Sequence, residues 1–464
     1  MSFNSTILAA GAAGAAGGAG PGSLFYVNLS GSSGGWGNVD NCCGVAVDSL
    51  YNVYSLWDAT GSSSVATGLA AHNSEGVLLW DLGQNYGTSH NESVHGIAID
   101  SSDRLHILCK DTSGGFYLGC INTSDGSTNY SRGVRHPSYS GVGFVNMVGK
   151  EARFLGIDDQ DDLWVVGGLV HTNKIAVMQF TPGNSSYTEG EAREIQGSQS
   201  GSAYARGNCI GGAQQNNNQG CWWMGQSKGR NMGGYLNGAG EHFHKKYFGT
   251  DENVRFLMAG QNQVNALHVL TSDSSLKFGV YGSSFSTNFF KGYTKNSSYV
   301  NRFGQSNGGA ASDRSPSGSD TDENIFHSFT TENVSGHWMT TVVHYNSGGT
   351  HQWTRNFRIR NSDTRAGPIV IDPKADGHIY ICMQQGVIKY PRDGSVTGTF
   401  TVSNSGGTFE IDSNASVNIG SPSAYNWNSD NYGDGGTFNP ASHGTAGNMA
   451  AITGNPSVNT TYDA

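Results

Sequence analysis

Gly96-Ile-Ala-Ile-Asp100-Ser-Ser-Asp-Arg-Leu105-His-Ile-Leu108 is an apolar run, a polar turn and a second apolar run. Two β-prone runs across a short Asp-rich turn are the signal of a β-hairpin. An Asp at the end of the first run suits the turn because its carboxylate accepts hydrogen bonds from turn N–H groups; no catalytic duty is needed. The arrangement stands again at Gly44-Val-Ala-Val-Asp48, at Leu155-Gly-Ile-Asp158 before Asp159-Gln-Asp161, and at Pro368-Ile-Val-Ile-Asp372 before Pro373-Lys-Ala-Asp-Gly377.

The second run of the hairpin is the most persistent part. It returns as Val53-Tyr-Ser-Leu56, Leu105-His-Ile-Leu108, Leu163-Trp-Val-Val166, Cys221-Trp-Trp-Met224, Leu267-His-Val-Leu270, Ile325-Phe-His-Ser328 and Ile379-Tyr-Ile-Cys382. The starts at Val53, Leu105, Leu163, Cys221, Leu267, Ile325 and Ile379 are evenly strung along the chain. A near-constant period of this kind means one supersecondary unit used repeatedly. The Asp marker itself is missing from three units between Asp158 and Asp372.

Two further strands follow in each unit. Gly115–Ile121, Lys174–Phe180 and Leu276–Tyr281 read as mixed third strands. Glu189–Ile195, Gln352–Arg358 and Gly394–Phe400 read as polar fourth strands. Two buried inner strands, a mixed third and a solvated outer edge make one blade of a β-propeller. The expected fold is therefore all-β: a seven-bladed β-propeller over residues 23–402, with a Gly/Ala-rich N-terminal anchor over 1–22 and an irregular tail over 403–464. A β-solenoid repeats over a shorter period, and a string of sandwiches needs linkers that residues 44–402 lack. Residues 24–29, Leu-Phe-Tyr-Val-Asn-Leu, form a strand suited to pair with the last blade and close the ring.

Composition narrows the partners. Only 13% of the 464 residues are charged, 68 are Gly, and the net charge is −10, a mixture that favours strands and turns. Phosphate binding needs a basic stripe, and none is present, so nucleic acid is not an expected partner. No run approaches the ~20 apolar residues of a membrane span. The N-terminus lacks the basic region of a secretory signal. Seven cysteines include two pairs, Cys109/Cys120 and Cys209/Cys221, placed to face each other across hairpins; without an oxidising compartment they are expected to be free and buried.

Candidate chemistry is sparse. His242-Phe-His244 puts two imidazoles on one strand face with no third zinc ligand in view. Asp158-Asp159-Gln160-Asp161-Asp162 is dense enough in carboxylate for Ca²⁺ but lacks the spacing and distal Glu of a calcium loop and falls where other units turn. Trp222-Trp223 suits core packing better than sugar stacking. Trp57-Asp58 and Trp80-Asp81 fall in different strands of one unit, with no recurring Gly-His partner, so a WD40 reading is rejected. No nucleophile elbow, phosphate loop, dinucleotide fingerprint or His-Glu-x-x-His occurs. No cofactor is expected and the chain reads as non-enzymatic.

The segment 1–22 differs in kind. Phe3, Ile7 and Leu8 are apolar at helix-like spacing, and Gly11, Gly14 and Gly17 punctuate a cord of Ala. A flexible linker has this composition, but it leaves the apolar tip unexplained; an anchor that orders on assembly accounts for both. Met1-Ser-Phe-Asn-Ser-Thr-Ile-Leu-Ala-Ala-Gly-Ala-Ala-Gly-Ala-Ala-Gly-Gly18 resembles the N-terminal tag of virion proteins from marine tailed bacteriophages. The resemblance covers only this leading stretch and carries over no catalytic residues. It implies a tail or fibre component located in the virion, present in several copies and held to other virion proteins by Phe3, Ile7, Leu8, Gly11, Gly14 and Gly17. The propeller would then face a host-surface glycan or protein. A glycan-binding propeller and a propeller hydrolase or lyase are the alternatives.

Overall fold

The computed structural model describes strands and tight turns between residues 25 and 461; the longest stretches outside it are 1–24, 136–154, 250–316 and 413–432. The described residues are all-β, and no helix among them is long and apolar enough to cross a membrane. They form six antiparallel sheets of a propeller-like fold.

A single strand, β1 (Phe25–Ser30), precedes the first sheet. Sheet one runs β2 (Asn38–Val47), β3 (Val53–Thr60), β4 (Thr67–His72), β5 (Leu78–Gln84). Sheet two is β6 (Val94–Ile99), β7 (Leu105–Lys110), β8 (Phe116–Ile121), β9 (Thr128–Arg135). Sheet three is β10 (Leu155–Ile157), β11 (Leu163–Gly168), β12 (Lys174–Pro182), β13 (Tyr187–Gln196). Sheet four is β14 (Arg206–Gly212), β15 (Gly220–Ser227), β16 (Arg230–Asn237), β17 (His242–Gly249). Sheet five begins β18 (Ser317–Ser319), β19 (Ile325–Glu332), β20 (Trp338–Tyr345), β21 (His351–Ile359). Sheet six begins β22 (Ala366–Ile371), β23 (His378–Met383), β24 (Gly386–Pro391).

Each recurring run is the second strand of its sheet, apart from Leu267–Leu270, which lies outside the described residues. First strands of successive sheets touch: β2 meets β6, β6 meets β10, β10 meets β14, and β22 meets both β18 and β2. The first strands are therefore where the sheets converge. Sheets packed this way bury both faces of their inner strands, and Trp57, Trp164 and Trp223 are fully enclosed there. The third strands are not mixed as expected but buried, as in β12 and β24, because a neighbouring sheet covers each face.

The strand read at residues 24–29 pairs with the last sheet as the sequence suggested. β1 pairs with β24, Tyr26 opposite Ile388 and Val27 opposite Val387, so the first described strand completes the last sheet. The predicted last fourth strand, Gly394–Phe400, is corrected. Its β25 (Gly398–Thr401) turns back to sheet five, where β26 (Thr408–Asp412) pairs with β21 and β25 pairs with β26. β1 already holds the fourth place in sheet six and leaves no room for it.

Downstream segments then run round the rim. β27 (Gly433–Thr437) adds to β13, β28 (Ala441–Ser442) to β9, β29 (Ala450–Ala451) to β5, and β30 (Ser457–Thr461) to β1. They visit sheets three, two, one and six in turn, against the chain's first direction of travel. Outer strands otherwise offer rows of unpaired N–H and C=O groups, and this belt occupies them.

Candidate functional site

The chemistry-bearing residues gather at the turns between first and second strands. Asp48, Asp100 and Asp158 repeat one bonding pattern in sheets one, two and three. One carboxylate oxygen accepts the N–H two residues on, from Leu50 (2.8 Å), Ser102 (3.0 Å) and Gln160 (3.0 Å). It also accepts the N–H four residues on, from Asn52 (2.8 Å), Arg104 (2.9 Å) and Asp162 (3.0 Å). The other oxygen meets a ring six residues on in the second strand: Tyr54 OH (2.8 Å), His106 Nε2 (3.0 Å) and Trp164 Nε1 (2.8 Å). Sequence reading foresaw the turn role of these Asp residues and missed the ring donors. The signal was present as a polar-tipped ring at the same spacing after each Asp.

A second set of bonds joins neighbouring sheets. Asp103 accepts the Ser49 N–H (2.8 Å) and the Ser49 hydroxyl, so sheet two grips sheet one. Asp161 grips Ser101 through its N–H (2.8 Å) and hydroxyl in the same way, one sheet further on. Asp103 and Asp161 both have positive φ, 58° and 64°, a conformation Asp tolerates better than most residues. Asp158 reaches onward to sheet four, accepting the Gly220 N–H at 2.9 Å.

Asp100, His106 and Tyr187 form a chain with the outline of a proton relay. His106 Nε2 bonds Asp100, while Nδ1 lies 2.9 Å from the Tyr187 hydroxyl. Burial disfavours charge on the Asp100 carboxyl, but bonds from His106 and Arg104 outweigh it and hold the pKa below the usual range. Burial lowers His106 despite the pull of Asp100, and pushes Tyr187 well up. Near neutral pH this leaves an ionised Asp, a neutral imidazole donating from Nε2, and a phenol donating to Nδ1. His106 is 0% exposed and Tyr187 3%, so no substrate atom reaches them in this conformation. Arg104 extends the network to the Gly183 carbonyl (2.6 Å), which also accepts from Tyr130 (2.7 Å). The cluster welds sheet two to sheet three.

The acidic stretch 158–162 is similarly occupied. Asp158 receives four N–H groups, Asp161 holds Ser101, and Asp162 accepts from Gln179 Nε2 (2.7 Å) and the Thr181 hydroxyl. Burial pushes the Asp158 carboxyl up to about 7, against the Trp164 N–H and with Asp162 adding to the rise. Among the described residues no group of three His, Cys, Asp or Glu is placed to hold a metal ion.

The remaining candidates disperse. His242 and His244 lie in β17, and Trp223 is core. Cys109 stands opposite Tyr117 and Cys120 opposite His106, while Cys209 stands opposite Met224 and Cys221 opposite Gly212; neither predicted pair is in register, because each hairpin is centred away from the midpoint between its two cysteines. The anchor residues Phe3, Ile7, Leu8, Gly11, Gly14 and Gly17 lie outside the described residues.

No protein-family model matches the chain, and no curated protein matches it. Solved structures do. The WD40 domain of SCAP from fission yeast is 13% identical, with 80% of this chain and 98% of that one covered at a TM-score of 0.36. Polysaccharide lyase Uly1 is 7% identical, with 76% and 90% covered at 0.32. A rhamnogalacturonan lyase of Bacillus licheniformis is 11% identical, with 80% and 60% covered at 0.28. With polysaccharide lyases among the similar structures, the expectation that this chain is non-enzymatic is withdrawn.

Proposed function

We propose that this chain is a seven-bladed propeller carried on a tailed-phage particle, tethered through its N-terminal segment and turning its ring toward a host surface or a neighbouring virion protein. One observation carries the tether. β1 is held between β24 and β30, with Tyr26 opposite both Ile388 and Thr461, so the polypeptide before Phe25 joins the ring at its rim. The sequence of that leader, with its apolar tip and Gly/Ala cord, supplies the virion reading.

Seven blades are supported by the belt as well as by the repeat. Belt strands β27 to β30 start at Gly433, Ala441, Ala450 and Ser457, an even stride of one sheet per step. The interval from the start of β26 at Thr408, on sheet five, to the start of β27 at Gly433, on sheet three, is close to three such strides. Three steps from sheet five to sheet three call for two blades between them, sheet four and one more, and the recurring run Leu267-His-Val-Leu270 supplies that further repeat in the sequence.

The test is deletion of residues 1–22 in the phage genome. The truncated ring should keep its circular-dichroism spectrum and melting temperature yet be missing from purified particles. Normal incorporation overturns the tether. The purified chain is also incubated with host-surface and anionic polysaccharides. New unsaturated chain ends would show that the ring also acts as a lyase.

A further inference from the structure

Cys42 and Cys382 sit on opposite sides of the seam where the ring closes. Cys42 belongs to β2 of sheet one and Cys382 to β23 of sheet six. Their sulfurs are 2.7 Å apart across 340 residues of sequence. Non-bonded carbon atoms settle at about 3.5–4.0 Å, and sulfur is larger, so this is closer than packing alone allows. A disulfide needs only a further approach to about 2.05 Å. The pair is 4% and 0% exposed, in an apolar seam shared by Val45, Trp57, Tyr380 and Val387.

We propose that Cys42 and Cys382 are a disulfide-forming pair that locks the ring shut under oxidising conditions. The oxidant is a low-molecular-weight disulfide. The Cys42 thiolate attacks one of its sulfurs, forming a mixed disulfide and releasing one small thiolate, which takes up a proton. Cys382, as thiolate, then attacks the Cys42 sulfur and expels the second small thiolate. Two cysteine thiols lose two electrons, and one small disulfide becomes two thiols. The order of the two cysteines can be exchanged without changing the balance. A mixed disulfide is too bulky for the closed seam, so the first step occurs when the seam is open and the second follows as it closes. β1 holds the same seam through main-chain pairing, and the cross-link adds a covalent hold that β1 lacks. It closes a long loop, the case in which a cross-link restricts the unfolded chain most.

The test uses the full chain, folded and also refolded from denaturant, in oxidised or in reduced glutathione. Thiols are then alkylated in denaturant and the protein is digested without reductant. Mass spectrometry is expected to find a peptide pair joining Cys42 to Cys382 in oxidised glutathione and none in reduced. The melting temperature should rise by about 5 °C on oxidation. Cys42→Ala and Cys382→Ala should each remove the pair and the rise. Full alkylation of both cysteines after refolding in oxidised glutathione overturns the proposal. So does a bridge from either to a different cysteine, or an unchanged redox shift in Cys42→Ala. The wild-type peptide map decides even if a variant folds poorly.

Discussion

Gly96 of sheet two lies so close to Leu155 of sheet three that a methyl group added to the glycine would overlap the Leu155 Cβ and stand 3.2 Å from its backbone nitrogen. The absent side chain at Gly96 therefore sets the distance between two first strands where the sheets converge.

Gly96→Ala must push those strands apart, and overpacking of this kind costs ~1–3 kcal/mol. Gly119 is the contrast: a methyl group there meets first the Ile107 Cγ1 at 3.2 Å, the movable part of a side chain. Gly119→Ala should change stability little. Urea denaturation of both variants compares them directly, and equal losses would contradict this account of the seam.

The Ser101–Asp161 grip should behave as a coupled pair. Asp161→Gly keeps a residue tolerant of positive φ while removing the carboxylate acceptor. In a double-mutant cycle with Ser101→Ala the coupling should be about 1 kcal/mol, modest because both residues are partly open to water. Zero coupling would mean that the bond adds nothing to the joint between sheets two and three.

Stability should depend on pH through opposed groups, of which His72 and Asp158 are two. His72 is 1% exposed and burial holds its pKa down at about 3, while the unfolded chain takes up that proton near 6.5. Its contribution is intact above pH 6.5 and falls by about 1.4 kcal/mol for each unit of pH below that, down to about 3. Asp158 works the other way. Its folded pKa of about 7 lies above the unfolded value, so its contribution is full below about pH 4 and is lost as pH rises through 7. His72→Leu should flatten the acid limb of the stability curve, and Asp158→Asn should steepen it. Chemical denaturation from pH 4 to 8 would show both, and a slope unchanged in either variant would reject its assignment.

Removal of the belt should expose outer strands without dismantling the sheets. A chain ending at Asp412 loses the partners of β13, β9, β5 and the outer side of β1. Amide exchange in Arg193–Gln196 should rise at least tenfold, and the protein should associate with increasing concentration in sedimentation, as uncovered strand edges do. Unchanged exchange in β13 would mean the belt pairs too weakly to shield it.

Much of this fold was legible because burial imposes pattern. Second strands enclosed on both faces must be apolar, so Leu105–Leu108 and Leu163–Val166 announce themselves, and each turn needs an acceptor such as Asp100 or Asp158. The period of the repeat and the closing strand at Phe25–Ser30 follow from the same rule. The candidate site was only half legible. Ser49 and Asp103, or Ser101 and Asp161, lie about one repeat apart in sequence, and nothing local to either residue names its partner.

What sequence determined by itself, then, is the repeating hairpin, whose side chains must fill a core and whose turns must satisfy backbone donors. Tertiary structure alone decided which edges are joined. Gly433-Asp-Gly-Gly-Thr437 has no apolar alternation and little strand propensity, yet it pairs with Arg193–Gln196 through main-chain groups that every residue possesses. Pairing of that kind leaves no mark on side-chain pattern. The approach of Cys42 to Cys382 is likewise a product of closure, since two sulfurs 340 residues apart meet only when the last sheet packs on the first.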